Sequence, residues 1–361
     1  MERRSRERIK GRGAVSNPPG RFELQSCTPV DDGWSLEDEP EPSPDTQVTP
    51  ELTTRIVTEN QSPDVPFSRS INPYRGCEHG CTYCFARPTH SFLGLSPGLD
   101  FETRIISKPR AAEALRTYFE KPGYQPQPIA LGANTDPYQP TERKLEITRD
   151  LLKVFREYRH PVSIVTKSST VLRDIDLLDD LARDGLTRVY LSVTTLDAEL
   201  ARRMEPRASS PTSRLKALRV LAKAGIPTGV LASPMIPGLN DWELEEILER
   251  AARVGVCTAG YILLRLPREL KDLFEGWLEA NYPDRCSKVL NLMRQMRGGE
   301  LYESQFGTRM RGRGPYAALL ERRFDLTMRK VGLDTVGTPL VCDLFSLPAR
   351  AGQQLRLFEG A

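Results

Sequence analysis

The sequence predicts an α/β fold, a partial (β/α)6 barrel with a disordered or loosely ordered N-terminal arm and a basic helical C-terminal extension. Three observations predict it. Six short apolar runs recur between residues 69 and 266, separated by amphipathic stretches, which is how strand and helix repeats read. The 361 residues exceed the ~250–300 at which one core stops growing, so a large domain with appendages fits the length. Residues 1–65 are rich in Pro, Ser, Asp, Glu and Arg, with "LEDEPEPSPD" in the middle. They hold too few large apolar residues to offset the entropy of ordering.

The six strands read "RSINPY" (69–74), "PIALGANT" (128–135), "VSIVTKS" (162–168), "TRVYLSVTT" (187–195), "PTGVLASPMI" (227–236) and "GYILLRL" (260–266). Helices fit between them. "TERKLEITRDLLKVFREY" (141–158) places Leu145, Leu152, Phe155 and Tyr158 at helical spacing, with basic residues on the outer face. "LNDWELEEILERAARVG" (239–255) opens on Asn240 or Asp241 as N-cap and closes on Gly255. Repeated βα units imply a parallel sheet with right-handed crossovers, and six units fall short of the eight in a closed barrel. A doubly wound sheet is the alternative, and both place their ligands at the carboxyl ends of the strands. The organisation that follows is an arm (1–65), an α/β core (66–270), a basic helical extension (271–350) and a flexible tail (351–361).

The net charge of +3 decides little. Of seven cysteines, Cys27, Cys257, Cys286 and Cys342 are isolated, unlike the dense framework of a small secreted scaffold, so a cytoplasmic location is expected. Cys257 reads as a small buried apolar residue. No run of eighteen apolar residues occurs, and no membrane partner is expected. The start, "MERRSRERIKGRGAVS", lacks the apolar centre of a signal peptide, and Glu2 and Glu7 argue against a mitochondrial presequence.

"NPYRGCEHGCTYCFARPTH" (72–90) carries Cys77, Cys81 and Cys84 directly after the first strand. Gly76 and Gly80 permit the turns needed to wrap a compact ion or cluster. Three ligands is the informative number, because a structural zinc takes four while a four-iron cluster held by three thiolates keeps one iron open. The competing reading completes a Cys3His zinc site with His79 or His90. The position after the first strand of a βα series, rather than in a small zinc module, favours the cluster.

These cysteines, with Tyr83 before the last, resemble the Cys-x3-Cys-x-aromatic-Cys signature of radical S-adenosylmethionine enzymes. The resemblance implies a [4Fe-4S] cluster on Cys77, Cys81 and Cys84, with S-adenosyl-L-methionine chelated at the open iron. It also implies cleavage to a 5'-deoxyadenosyl radical, and an electron donor such as flavodoxin or ferredoxin. Tyr83 would then lie against the adenosyl moiety. At the strand ends, Asn134, Thr135, Asp136, Lys167, Ser168, Ser192, Thr194 and Arg207 are the groups expected to hold the cofactor, Lys167 suiting its carboxylate. Glu205 with Arg207 would bind the cofactor carboxylate or its ribose, a loop salt bridge between the two being the alternative; "SPMIPGLND" resembles the loop that packs on adenine, and the sixth strand ends in Arg265.

"NPYRGCEHGCTYC", "TDPYQPTE", "VTKSS", "SVTTLD" and "EPRASSP" together resemble the spore photoproduct lyase branch, over roughly residues 67–270. That branch implies DNA as substrate, in photolesion repair or base modification. Arg309, Arg311 and Arg313 in "RMRGRG" form a basic segment suited to phosphates. The branch uses a dedicated hydrogen-donating cysteine, and no cysteine here aligns with it, so the catalytic residue is unassigned. Modification of RNA or protein, or a non-catalytic iron-sulfur DNA-binding factor, are the other readings. Gln354, Leu355, Leu357 and Phe358 in the tail resemble the peptide by which bacterial repair proteins bind the sliding clamp.

Overall fold

The computed structural model describes residues 9–23 and 45–348. Its strands are β1 (Gln47–Pro50), β2 (Val57–Glu59), β3 (Arg69–Ile71), β4 (Tyr74–Arg75), β5 (Arg104–Ser107), β6 (Ile129–Leu131), β7 (Val162–Thr166), β8 (Thr187–Ser192), β9 (Thr228–Met235) and β10 (Thr258–Leu263). The first six helices are α1 (Asp100–Thr103), α2 (Ala111–Phe119), α3 (Glu142–Leu145), α4 (Ile147–Glu157), α5 (Ile175–Arg183) and α6 (Ala198–Met204). After them come α7 (Pro211–Lys223), α8 (Leu244–Arg253), α9 (Leu270–Asn281), α10 (Pro283–Gln295) and α11 (Pro315–Val331).

The main sheet runs β10-β9-β8-β7-β6-β3-β2. Its six strands from β3 to β10 pair in parallel, and β2 adds antiparallel to the β3 edge. The end strands do not pair with each other, so the sheet is open. Each strand is apolar and β-branched at its core positions, as Val162, Ile164, Val189, Leu191 and Val230 show by being fully buried. Helices pack amphipathic faces onto the sheet, α4 through Ile147, Leu151, Leu152, Val154 and Phe155.

The first expected strand divides. Residues 69–71 stay in the main sheet, while β4 turns into a smaller sheet of order β1-β5-β4. That turn launches the cysteine loop away from the sheet. The helix expected over 141–158 also divides, because Glu146 takes a left-handed φ of 51° between α3 and α4. The reason is Glu142, whose buried carboxylate accepts the Thr148 N–H at 3.1 Å and so replaces the intrahelical bond lost there. A 3-10 turn, Asp241–Glu243, precedes α8, and Gly255 (φ 94°) follows its last turn.

The segment expected to be a loose arm carries ordered contacts in its described parts. Gly13 and Ala14 donate their N–H groups to Glu102 at 2.9 and 2.8 Å, and Arg21 pairs with Glu269 at 2.9 Å. Residues 45–65 contribute β1 and β2. At the other end, α11 lies along α8, with Arg323 bonded to Glu245 at 2.6 Å and Lys330 to Glu249 at 2.7 Å. The chain then crosses the amino ends of the strands, where the Ala259 N–H donates to the Asp334 carbonyl at 2.9 Å. Cys257, expected to be buried, is exposed there, because it sits in the turn that precedes β10. Among the described residues no helix is long and apolar enough to cross a membrane.

Candidate active site

The cysteine loop sits beside the carboxyl ends of the parallel strands because β4 ends at Arg75 and Gly76 turns the chain at once (φ 76°). A side chain at Gly76 would strike the Phe101 carbonyl at 2.9 Å, and one at Gly80 (φ 66°) the Glu102 carboxylate at 2.6 Å. Both turns therefore need glycine. Cys77 and Cys81 are buried and Cys84 is half-buried. The Cys77 N–H donates to the Phe101 carbonyl at 2.9 Å and the Thr82 N–H to the Met204 carbonyl at 3.0 Å, tying the loop to its surroundings at both ends.

Burial first, and then Asp136 and the other two thiols, push Cys77 well above the usual thiol range. Burial pushes Cys81 up to about 12 and also raises Cys84. Three mutually repelling thiols in one buried loop stay protonated until a cation takes their charge. Neither histidine completes a single-ion site with them. His79 Nδ1 stands 3.3 Å from Asp136 Oδ2, and His90 Nε2 lies 3.0 Å from the Arg104 carbonyl. Among the described residues no three His, Cys, Asp or Glu side chains converge on a point fit for one metal ion. Three thiols without that convergence suit a larger inorganic body, so the donor set fits an iron-sulfur cluster and not a Cys3His zinc.

A charged network stands beside the loop. Glu205, at the end of α6, is 2% exposed and accepts hydrogen bonds from Tyr83, Thr194 (2.6 Å) and Arg214. Arg214, 1% exposed on α7, also donates to the Ser192 carbonyl at 2.9 Å. Burial opposes the charge on Glu205, but Arg214 and Lys167 outweigh it and hold the carboxyl low. Lys167, at the end of β7, places its ammonium 5.8 Å from the centre of the Tyr83 ring. Burial pulls it down, while Cys81 and Glu205 more than compensate, so it stays charged. Its peptide N–H goes to Asp136 at 2.7 Å, and no side chain of the described residues receives its ammonium. An enclosed cation without a bound acceptor, beside three thiols, is a natural carboxylate site.

Several other expected ligands meet partners within the protein. The Asn134 and Thr135 N–H groups donate to Asn72 Oδ1 at 2.8 and 3.2 Å, and Thr135 Oγ1 donates to the Tyr74 carbonyl at 2.8 Å. Asp136 is buried against its ionisation, yet His79, Thr166 and the Lys167 N–H hold it at about 2. Ser168 caps a 3-10 turn by accepting the Thr170 N–H at 3.2 Å. Ser192 is buried, and Thr194 and Tyr83 spend their hydroxyls on Glu205. Arg207 pairs with Glu78 at 3.3 Å, so the expected Glu205–Arg207 pair gives way to Glu205–Arg214. Arg214 lies nine residues beyond Glu205 on the next helix, where its long side chain reaches back into the buried site.

The arginines of "RMRGRG" each meet a group of the protein itself. Arg309 pairs with Asp64, Arg311 lies 4.0 Å over the Tyr261 ring, and Arg313 pairs with Glu303. The segment is pinned where the Leu263 N–H donates to the Met310 carbonyl at 2.9 Å, which brings it to the end of β10. Arg265 stacks its guanidinium 5.5 Å over Phe85, next to Cys84. Cys27 and the tail residues Gln354, Leu355, Leu357 and Phe358 lie outside the described residues.

The sequence reasoning missed a second buried pair. Arg87, 1% exposed, donates to the carbonyls of Cys81 (2.8 Å), Gly80 (3.2 Å) and Gly98 (2.8 Å) and pairs with Glu102, itself fully buried. Glu102 in turn receives the N–H groups of Gly13 and Ala14. The N-terminal strap, Glu102 and Arg87 thus form one chain of bonds ending on the cysteine loop. The available signal was only the arginine of "FAR", three residues after Cys84.

The profile of the Radical SAM superfamily matches residues 71–251, which contain the cysteine loop and the strands from β4 to β9. An uncharacterised protein of Mycobacterium tuberculosis is 33% identical over 233 residues, 64% of this chain and 68% of that one. An uncharacterised protein of Methanocaldococcus jannaschii is 29% identical over 61% of this chain and 79% of its own length. Among solved structures, a spore photoproduct lyase mutant with bound AdoMet and dinucleoside spore photoproduct aligns with a TM-score of 0.55 at 20% identity. That alignment covers 79% of this chain and 78% of the other, and it shows a shared fold.

Proposed function

The chain belongs to the radical SAM superfamily, and we propose that it uses a [4Fe-4S] cluster on Cys77, Cys81 and Cys84 to abstract hydrogen from a nucleotide of DNA. The observation that carries the chemistry is the three-thiol loop beside the charged ammonium of Lys167, which no side chain of the described residues bonds. When bound, the cluster and S-adenosylmethionine supply reductive cleavage to a 5'-deoxyadenosyl radical that takes a hydrogen atom from substrate.

The chain's own part is to bind and orient. We assign Lys167 to the cofactor carboxylate, since a charged, enclosed amine recognises an anion at close range. Glu205, clamped by Arg214 and Thr194, fixes the Tyr83 hydroxyl, so the ring presents a set face toward the adenosyl group. Asn134, Thr135, Asp136 and Ser168 shape the strand ends from behind, while Ser192 and Arg207 border the site. An electron donor of the flavodoxin or ferredoxin kind is required by the chemistry.

DNA as the substrate rests on the lyase-like phrases around these residues and on the fold shared with spore photoproduct lyase. Deuterium transfer tests it. Thymidine-deuterated DNA, native and ultraviolet-irradiated, incubated anaerobically with reconstituted protein, should place deuterium in 5'-deoxyadenosine. Transfer from labelled RNA or peptide, with none from either DNA, would assign the enzyme to another polymer.

A further inference from the structure

Residues 12–15 lie directly on the cysteine loop. Gly13 and Ala14 are buried, and a side chain at Gly13 would collide with the Gly80 carbonyl oxygen, so only glycine lets the strap come this close. Val15 packs with Cys81, Tyr83 and Cys84. The fit is repeated further along, where a side chain at Gly98 would collide with the Ser16 carbonyl oxygen. Two approaches too tight for any Cβ make residues 12–16 a fitted cover, not a tail resting on the surface.

One residue holds that cover. The Glu102 carboxylate accepts the Gly13 and Ala14 N–H groups at 2.9 and 2.8 Å, and its peptide carbonyl accepts Arg12 at 3.1 Å. The same carboxylate pairs with Arg87, whose other donors go to the carbonyls of Gly80, Cys81, Pro97 and Gly98. Among the described residues neither side chain bonds any group outside the strap, the cysteine loop and the turn before α1. Both ions are buried, and apolar residues of the same volume often stabilise such a region as well or better. What the pair adds is orientation, at the Gly80 and Cys81 carbonyls on one side and at the strap on the other.

We propose that Glu102 and Arg87 are positioning residues for the iron-sulfur cluster, and that residues 12–15 are the cover they clasp over its loop, keeping solvent and chelators from the metal. The inference rests on the cluster assignment above. A cluster held by three thiolates is lost when solvent species replace those bonds, and the shell around a metal governs both that access and the metal's potential. Gly13 seals the loop at Gly80, between the first two cysteines, and Val15 seals it at Cys81 and Cys84. Arg87 reads the state of the cover back to the loop, because the carboxylate it shares with the strap also fixes its hold on the Cys81 carbonyl.

The test uses the full chain reconstituted anaerobically with iron and sulfide. Its readouts are hydrogen exchange of the strap, iron release to a ferrous chelator under reducing conditions, and the cluster's reduction potential. Gly13→Val sets a side chain against the Gly80 carbonyl, and Ala14→Pro removes one donor to Glu102, while neither alters a cysteine. Both should raise exchange in the strap, leave iron content after reconstitution unchanged, and speed iron release about tenfold, the lower end for removing the outer support of a metal site. Phe119→Ala, in the core between α2 and α4, controls for lost stability and should release iron at the parent rate. Glu102→Gln leaves Arg87 unbalanced beside the loop and should raise the potential, and Arg87→Met added to it should return the potential toward the parent value. A strap that stays protected in both strap variants, release at the parent rate from a strap shown to be open, or equal acceleration in Phe119→Ala overturns the cover. No shift in the Glu102→Gln protein, or an equal shift in the double variant, overturns the positioning role. A parent protein that binds no iron sinks the cluster reading instead, and strap exchange in the apoprotein variants then still decides whether Glu102 holds the cover.

Discussion

Two buried regions of this protein are built on opposite principles. Beneath the cysteine loop the interior holds full charges: Arg87 with Glu102, Arg214 with Glu205, and Lys167 beside them. Between α2, α4 and the C-terminal crossing, the interior is a cluster of Phe119, Tyr124, Phe155, Tyr158, His160 and Phe345. There Phe119 stacks on His160 with ring centroids 4.3 Å apart. Aromatic packing stabilises through area and needs few partners, whereas each buried ion must be paired at a desolvation cost of several kcal/mol. A fold that needed only stability would use the second plan throughout. The first is found where backbone carbonyls and a tyrosine hydroxyl must be held in fixed orientation beside the thiols.

The difference can be broken from either side. Arg214→Met should remove ~3–5 kcal/mol by leaving Glu205 buried and unpaired, read by urea unfolding of the apoprotein. Adding Glu205→Gln should restore much of that stability without restoring cofactor binding. If the double variant is no more stable than the single one, the cost lies in packing and not in the orphaned charge. In the aromatic cluster, Phe119→Ala should cost a comparable ~3–5 kcal/mol through its cavity. Here, however, iron and sulfide content after reconstitution should remain that of the unaltered protein.

The smallest effect is one of pH. Burial, the largest influence, holds His160 down at about 3, below its ordinary 6.5. The folded state therefore keeps the ring neutral, and protonation favours the unfolded chain. Stability from this group is full above pH 6.5 and falls as pH drops toward 3, by roughly 1.4 kcal/mol per unit. His160→Phe should flatten that slope in urea titrations between pH 6.5 and 5. An unchanged slope would mean that acid sensitivity enters through other groups.

The same contrast explains what the sequence disclosed. Strands such as Val162–Thr166 and Thr187–Ser192 announce themselves by apolar, β-branched runs, and Cys77, Cys81 and Cys84 by their spacing. The paired ions do not. Arg87 finds Glu102 fifteen residues on, and Glu102 finds Gly13 eighty-nine residues back, separations with no periodic trace. One signal existed for Arg214: it shares the buried face of α7 with Ala217, Leu218 and Leu221, where an isolated charge implies a hidden partner. The break at Glu146 was equally hidden, since 141–158 has helical spacing throughout and only the inward turn of Glu142 interrupts it. The strand-end hydroxyls looked like cofactor ligands because Ser and Thr serve both purposes, and here Thr135 and Ser168 serve the backbone.

The central claim is that the three thiols hold a cluster that cleaves S-adenosylmethionine. Protein reconstituted anaerobically with iron and sulfide, reduced with dithionite and given S-adenosylmethionine, should form 5'-deoxyadenosine and methionine in equal amounts. Cys81→Ala should abolish both while unfolding in urea like the parent apoprotein. A reconstituted parent protein that carries four irons per chain and still forms no 5'-deoxyadenosine would contradict the account.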